Sequence, residues 1–117
     1  MEADMATELA PVVWTGESGI KYEFELDPVG VTYKPRPGVY IFCRVARLGF
    51  WRPIYIGQTA SFYRRLTECL EAHHKFDDIR AAGATHLCTL HVTRGLTARL
   101  RIETDLRHFY QTPCNDQ

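Results

Sequence analysis

Two short apolar segments constrain this chain more than anything else in it. Residues 38–44 (Gly38-Val39-Tyr40-Ile41-Phe42-Cys43-Arg44) and 53–57 (Pro53-Ile54-Tyr55-Ile56-Gly57) are rich in β-branched and aromatic residues and bounded by Gly or Pro. Each reads as a strand, and the connection around Gly49 makes them antiparallel neighbours. In the first, Val39 and Ile41 point one way and Tyr40 the other; the same alternation separates Tyr55 from Ile54 and Ile56. If the aliphatic side chains of both strands share a core face, the two tyrosines project together from the opposite face. Gly57 then ends its strand where the backbone turns sharply or meets a ligand closely. The plainer alternative is a pair of strand tyrosines packed against helices.

The remaining elements follow from periodicity and breakers. Residues 1–11 read as a loose polar tail. A hairpin is expected next: Val12–Trp14, a turn at Gly16–Gly19, then Ile20–Leu26, in which Tyr22, Phe24 and Leu26 alternate with Lys21, Glu23, Glu25 and Asp27. Pro28, Gly30, Pro35 and Pro37 mark 27–37 as a loop. A helix from Ser61 to about His73 would gather Phe62, Leu66, Cys69 and Leu70 on one face at about 100° per residue. A shorter helix from Asp77 ends at Gly83, Thr85–Val92 forms a strand, and Thr97 caps a last helix, Ala98–Gln111, before Pro113. The expected order, ββ-ββ-α-α-β-α, is that of one α+β domain: a short antiparallel sheet flanked by helices, preceded by the hairpin at 12–27.

At 117 residues the chain has room for one domain, and 45% apolar with 24% charged residues excludes wholesale disorder. No apolar run approaches the ~20 residues of a membrane span. The N-terminus lacks the basic start and apolar core of a signal peptide, so a cytoplasmic protein with reduced cysteines is expected. A zinc pair from Cys88 and His91 is disfavoured, because residues three apart on a strand face opposite ways. The zero net charge hides an asymmetry: residues 1–30 carry seven acids and one lysine, and residues 31–117 thirteen bases and seven acids. Between Asp27 and Glu68 there is no carboxylate, yet seven Lys and Arg residues fall there among tyrosines and phenylalanines. Such a stretch suits a polyanion, although a solvated surface balanced by the acidic N-terminal part accounts for it too.

On the expected helices, Arg64 turns to solvent, whereas Arg65 falls at the border of the apolar face. His73 lies near the centre of that face, where a satisfied core histidine is commoner than a functional one. Glu103 is hard to dismiss as structural. Ile102, Leu106, Phe109 and Tyr110 define the buried arc of the last helix, and Arg99 and Glu103 project within it. A carboxylate there needs an ion partner, Arg99 being the available one, or a hard cation.

Taken together, these pieces resemble the GIY-YIG nuclease family. Gly38-Val39-Tyr40 looks like its first motif with Val for the usual Ile, and Tyr55-Ile56-Gly57 matches the second unchanged. Gln58-Thr59 and then Arg65-Leu66 follow at the family's spacing, Glu103 opens Glu-Thr-Asp-Leu, and Pro113-Cys114-Asn115 resembles the closing Pro-x-Asn. The resemblance spans roughly 37–115, the expected nuclease core, and looks like a small stand-alone bacterial or phage branch. One position departs: Cys69 stands where many members have a histidine, and His73 or His74 is then the candidate to substitute.

The resemblance implies a Mg²⁺- or Mn²⁺-dependent endonuclease acting on DNA. It implies Tyr40, Tyr55, Arg65, Glu103, Asn115 and His73 as catalytic residues, with Glu103 holding the metal. Arg52, Gln58, Thr59, Arg64 and Lys75 are the expected nucleic-acid contacts. Tyr40 would orient or deprotonate the attacking water, and its pKa of ~10 would have to be lowered by nearby cations. Arg65 would clamp the phosphate, Tyr55 would hydrogen-bond it, and Asn115 would support the geometry. No segment is long enough to be a separate targeting domain, so specificity is expected from loops, a second copy of the chain or a targeting partner. A catalytically silent nucleic-acid-binding module of the same fold and a protein-interaction domain are the alternatives.

Overall fold

The structure, a computed structural model, describes residues 10–73 and 75–115, with every side chain but that of Leu48. Most of the expected N-terminal tail, and His74, therefore lie outside the described residues. Five strands, β1 (Val12–Thr15), β2 (Lys21–Pro28), β3 (Gly38–Val45), β4 (Trp51–Thr59) and β5 (His86–His91), form one sheet in the order β1-β2-β5-β3-β4. Every pairing is antiparallel, and the sheet curls into a half-barrel. Among the described residues two α-helices accompany it, α1 (Phe76–Ala81) and α2 (Leu96–Phe109). No described helix is long and apolar enough to cross a membrane. The fold is α+β, as expected.

Because β5 returns between β2 and β3, β3 has a partner on each side, and Gly38–Cys43 are buried throughout. One face of the sheet packs Phe24, Val39, Ile41, Ile56 and Cys88 against Leu106 of α2. The other packs Tyr40, Phe42, Tyr55 and Leu87 against Phe62, Leu66, Phe76 and Ile79. A bulge interrupts the β3–β4 ladder: Phe42 pairs with Tyr55 and Cys43 with Pro53, leaving Ile54 as the extra residue. Ile54 thus packs with Tyr55, not with Ile56 as simple alternation requires. Pro53 is tolerated at this point because β4 is an edge strand.

The helix expected over Ser61–His73 is not continuous. A single helical turn leads into a π-helical segment, Arg64–Glu68, and a 3₁₀ turn, Leu70–Ala72. Arg65 N–H bonds Ser61 O at 3.1 Å in α fashion, but Cys69 N–H bonds Arg64 O at 2.8 Å, one residue wider. Phe62 and Leu66 keep their buried positions, while the widened turn swings Cys69 out to solvent. The segment is gripped from outside, since Tyr33 N–H donates to Thr67 Oγ1 at 2.9 Å and Tyr63 N–H to Lys34 O at 3.1 Å. Gly83, with φ of +90°, stands just beyond α1 in the left-handed conformation anticipated for it.

Two details of α2 also differ from expectation. Gly95, at φ +98°, is the N-cap, so Thr97 lies inside the first turn and caps nothing. The helix stops at Phe109 because Tyr110 turns extended: its ring packs edge-on against Trp14 at 5.3 Å and its hydroxyl accepts Thr15 N–H at 3.0 Å. Phe109 is consequently 54% exposed instead of buried.

The hairpin is locked to α2 by one carboxylate. Asp105 accepts from Ser18 N–H (2.8 Å), Ser18 Oγ (2.7 Å) and Tyr22 Oη (2.7 Å). These bonds hold its carboxyl below the usual range. A Cβ on Gly16 would fall 2.0 Å from Asp105 Oδ2, so only glycine leaves room for the lock. Asp105→Ala is expected to cost about 1–2 kcal/mol, the lower end for solvent-facing charge-assisted bonds, read as a lower urea midpoint at neutral pH. A folded pKa below the unfolded ~3.9 means this contribution is complete above that pH and lost as pH falls through the folded value. The wild-type–mutant difference should therefore shrink in acid, and a pH-independent difference would count against the lock.

Candidate active site

Tyr40 and Tyr55 come from adjacent strands and meet on the face covered by the helical segments, their ring centroids 6.1 Å apart and tilted by 31°. Gly57 makes the meeting possible. It pairs directly with Tyr40 across the ladder, and a Cβ there would sit 2.6 Å from the phenol's Cζ and Oη. The close approach anticipated at Gly57 is thus made by Tyr40, within a strand that continues to Thr59, with no sharp turn at the glycine. Gly38 plays the same part for Phe62, whose ring tip would stand 2.4 Å from a Cβ.

Behind the phenols sits His73, 4% exposed, edge-on to Tyr40, Phe42 and Tyr55. Its Nε2 lies 2.8 Å from Tyr40 Oη, and its Nδ1 accepts the Lys75 backbone N–H at 3.1 Å. An accepting Nδ1 leaves the proton of the neutral ring on Nε2, so His73 donates to the Tyr40 oxygen. The two phenols are coupled by a hydrogen bond, which raises Tyr40 and lowers Tyr55. His73 thus reaches Tyr40 from the turn after the π-helical segment, while Cys69 stands exposed to solvent.

Arg65 and Glu103 enter the same neighbourhood from different elements. Burial pushes the Tyr40 hydroxyl far above its ordinary value; Arg65 pulls it down and Glu103 pushes it up. Tyr55 is also raised, first by burial, then by Glu103, against Arg65 and Arg107. The expectation that cations lower Tyr40 is therefore reversed, because desolvation outweighs Arg65. Glu103, with a side chain 15% exposed, is itself raised by burial and lowered by Arg107. It does not pair with Arg99, whose Nε donates to Gln58 Oε1 at 2.8 Å; its partner is Arg107 at 3.9 Å. Arg65 is partly buried and has no ion pair or side-chain hydrogen bond among the described residues, whereas Arg64 is exposed.

Asn115 braces this arrangement from the sheet edge. Its Oδ1 accepts Ile56 N–H at 2.7 Å, its Nδ2 donates to Ile56 O at 2.9 Å, and Thr112 Oγ1 donates to Oδ1 at 2.5 Å. Cys114 N–H reaches Ile54 O at 3.2 Å, so the C-terminal segment closes the outer edge of β4 beside Tyr55. Of the expected nucleic-acid contacts, Arg52 is exposed on the same strand and Gln58 is held by Arg99. Thr59 closes the turn into Ser61, and the Lys75 backbone fixes His73. The residue missed in the sequence is Arg107, which touches Glu103 and donates to Asn115 O at 3.1 Å. The signal was present, since Glu followed by Arg at i+4 is the favourable orientation on a helix.

Among the described residues no three His, Cys, Asp or Glu side chains cluster to hold a metal. Cys88 is buried beside Cys43, sulfurs 3.9 Å apart, and His91 is exposed, so they form no zinc pair. Glu103 suits a hard cation: it is a desolvated oxygen donor whose charge is only partly offset by Arg107. No protein-family model, curated protein or solved structure matches the chain. Gly57→Ala is expected to destabilise the fold by about 1–3 kcal/mol, the scale of overpacking a buried site. It should also break the Tyr40–His73 bond, seen as a change in the His73 ring resonances. An unchanged denaturation midpoint with unchanged ring signals would show that the glycine is not needed there.

Proposed function

We propose that this chain is a metal-dependent endonuclease hydrolysing DNA phosphodiester bonds, built on the GIY-YIG architecture that its motifs resemble. The observation carrying this reading is that Tyr40, Tyr55, Arg65 and Glu103, from four separate elements, share one electrostatic neighbourhood in which each phenol feels both the guanidinium and the carboxylate. Phosphodiester hydrolysis needs a proton acceptor for water, positive charge at the phosphate and a hard-cation ligand. These residue types are that set.

Tyr55 is the better proton acceptor of the two phenols, which exchanges the roles the resemblance implies. It is 9% exposed against 1% for Tyr40, and Arg65 and Arg107 both favour its phenolate, against Glu103. Tyr40, held by His73, orients Tyr55 from behind. Arg65, lacking a carboxylate partner among the described residues, is available to clamp the scissile phosphate as its charge redistributes. Glu103 would hold Mg²⁺ or Mn²⁺, which when bound supplies polarisation of the phosphate and a more acidic water.

Supercoiled plasmid with Mg²⁺ or Mn²⁺ is the direct test. Cleavage by wild type should be abolished by Glu103→Gln with the fold and DNA binding retained. Arg65→Ala should reduce turnover at saturating DNA far more than Arg64→Ala. Binding without cleavage in wild type would favour a silent nucleic-acid-binding module instead. The pH profile tests the phenol. A base with a pKa above ~10 gives a rate rising about tenfold per pH unit through neutrality, without a plateau near pH 8. Tyr55→Phe should lose that slope and about 10²-fold or more of the rate; a larger loss in Tyr40→Phe would restore the original assignment.

A further inference from the structure

Beside Tyr55, on the outer side of β4, lies an open pocket of about 580 Å³ lined by Arg52, Arg107, Tyr110, Gln111, Thr112 and Asn115. Resting on the nuclease reading above, we propose that this pocket is a second phosphate subsite. It takes the nucleic-acid diester next to the one at the tyrosines, with Arg107 and Arg52 as its clamps. Arg107 is pre-oriented, because one end of its guanidinium donates to Asn115 O at 3.1 Å and the other lies 3.9 Å from Glu103. The side chain is still 43% exposed, and a guanidinium has five N–H donors, so donors remain for an anion. Arg52 has no ion pair or side-chain hydrogen bond among the described residues, and it stands directly opposite Arg44 in the β3–β4 ladder. Two like charges set across a ladder are unfavourable by themselves and are relieved by an anion.

The groove in the opposite direction from the tyrosines is of mixed charge. Cross-strand pairing sets Gly57, Tyr40, Thr89 and Glu25 in one row on one face. Glu23, Glu25 and Asp27 line the groove at that end, about 590 Å³ in volume, together with Lys34 and Arg36. The pocket at the β4 edge is lined by Arg52 and Arg107 and by no carboxylate, so it is the more favourable exit for a phosphate chain leaving the tyrosines. Asn115, which binds both Ile56 and Arg107, fixes the two subsites relative to each other.

The test uses the full chain without divalent metal, followed by amide NMR, with two probes: inorganic phosphate, and TpTpT, which has two diester phosphates and no terminal one. TpTpT should shift amides of both Tyr55–Gly57 and Gln111–Asn115. Arg107→Gln and Arg52→Gln should each weaken it about tenfold, the loss of one charge-assisted contact. Because Arg107→Gln also loosens the C-terminal segment, the surface variant Arg52→Gln carries the test if Arg107→Gln fails to fold; Glu25→Gln should leave the pocket shifts in place. Shifts from inorganic phosphate alone, shifts elsewhere, or unchanged TpTpT affinity in Arg52→Gln would overturn the subsite. Pocket binding by a wild type that never cleaves plasmid removes the nuclease reading but leaves the anion site; cleavage with a silent pocket removes the subsite alone.

Discussion

The burial of β3 between two strands and two packed faces is the constraint on which the rest of this structure depends. Every polar group on that strand must be satisfied by protein, and the ladders to β4 and β5 do this for the backbone. One polar side chain on it, the Tyr40 phenol, cannot be served by the ladders. Its hydroxyl is met by His73 Nε2 and hydrogen-bonded with Tyr55, and Gly57 supplies the missing volume that lets the ring lie flat beside the neighbouring strand. A buried hydroxyl without these partners would cost more than its ring packing returns. The aromatic cluster is therefore both a core and a hydrogen-bonded chain.

That chain ends at an edge, and the edge is where the polar chemistry gathers. Among the described residues β4 has no strand beyond it; the residues after α2 take that place, Asn115 serving both Ile56 backbone groups as a strand would. The bulge at Ile54 and Pro53 shifts the register just before Tyr55, so Ile54 joins the tyrosine in the helical layer while Ile56 remains in the other core. Arg107 ties α2 to this edge through Glu103 and Asn115. Four elements thus meet around one phenol, with opposite charges held short of full compensation by partial burial.

The acidic and basic parts of the sequence are separated by the fold only in part, since Lys34 and Arg36 share a groove with Glu23, Glu25 and Asp27. The carboxylates of β2 stand toward the β1 end of the sheet, whereas Arg44 and Arg52 lie on β3 and β4, the strands that carry Tyr40 and Tyr55. Strand order thus sets both tyrosines beside basic residues, a placement that composition alone does not contain.

Strand identity, the glycine at Gly57, the shared face of Tyr40 and Tyr55, and the inward bias of Glu103 were legible in the residues, because period-two and helical periodicities are local properties. The break in the helix after Arg65 was not, since it depends on loop residues 31–34 gripping Thr67 and Tyr63 from a distant part of the chain. The early end of α2, the pairing of Arg99 with Gln58, and the role of Arg107 likewise rest on contacts across the fold. The direction of the phenol shifts was decided there too. Charged neighbours could be guessed from motif spacing, but desolvation exists only once two layers close over the tyrosines, and in this protein it outweighs the arginine.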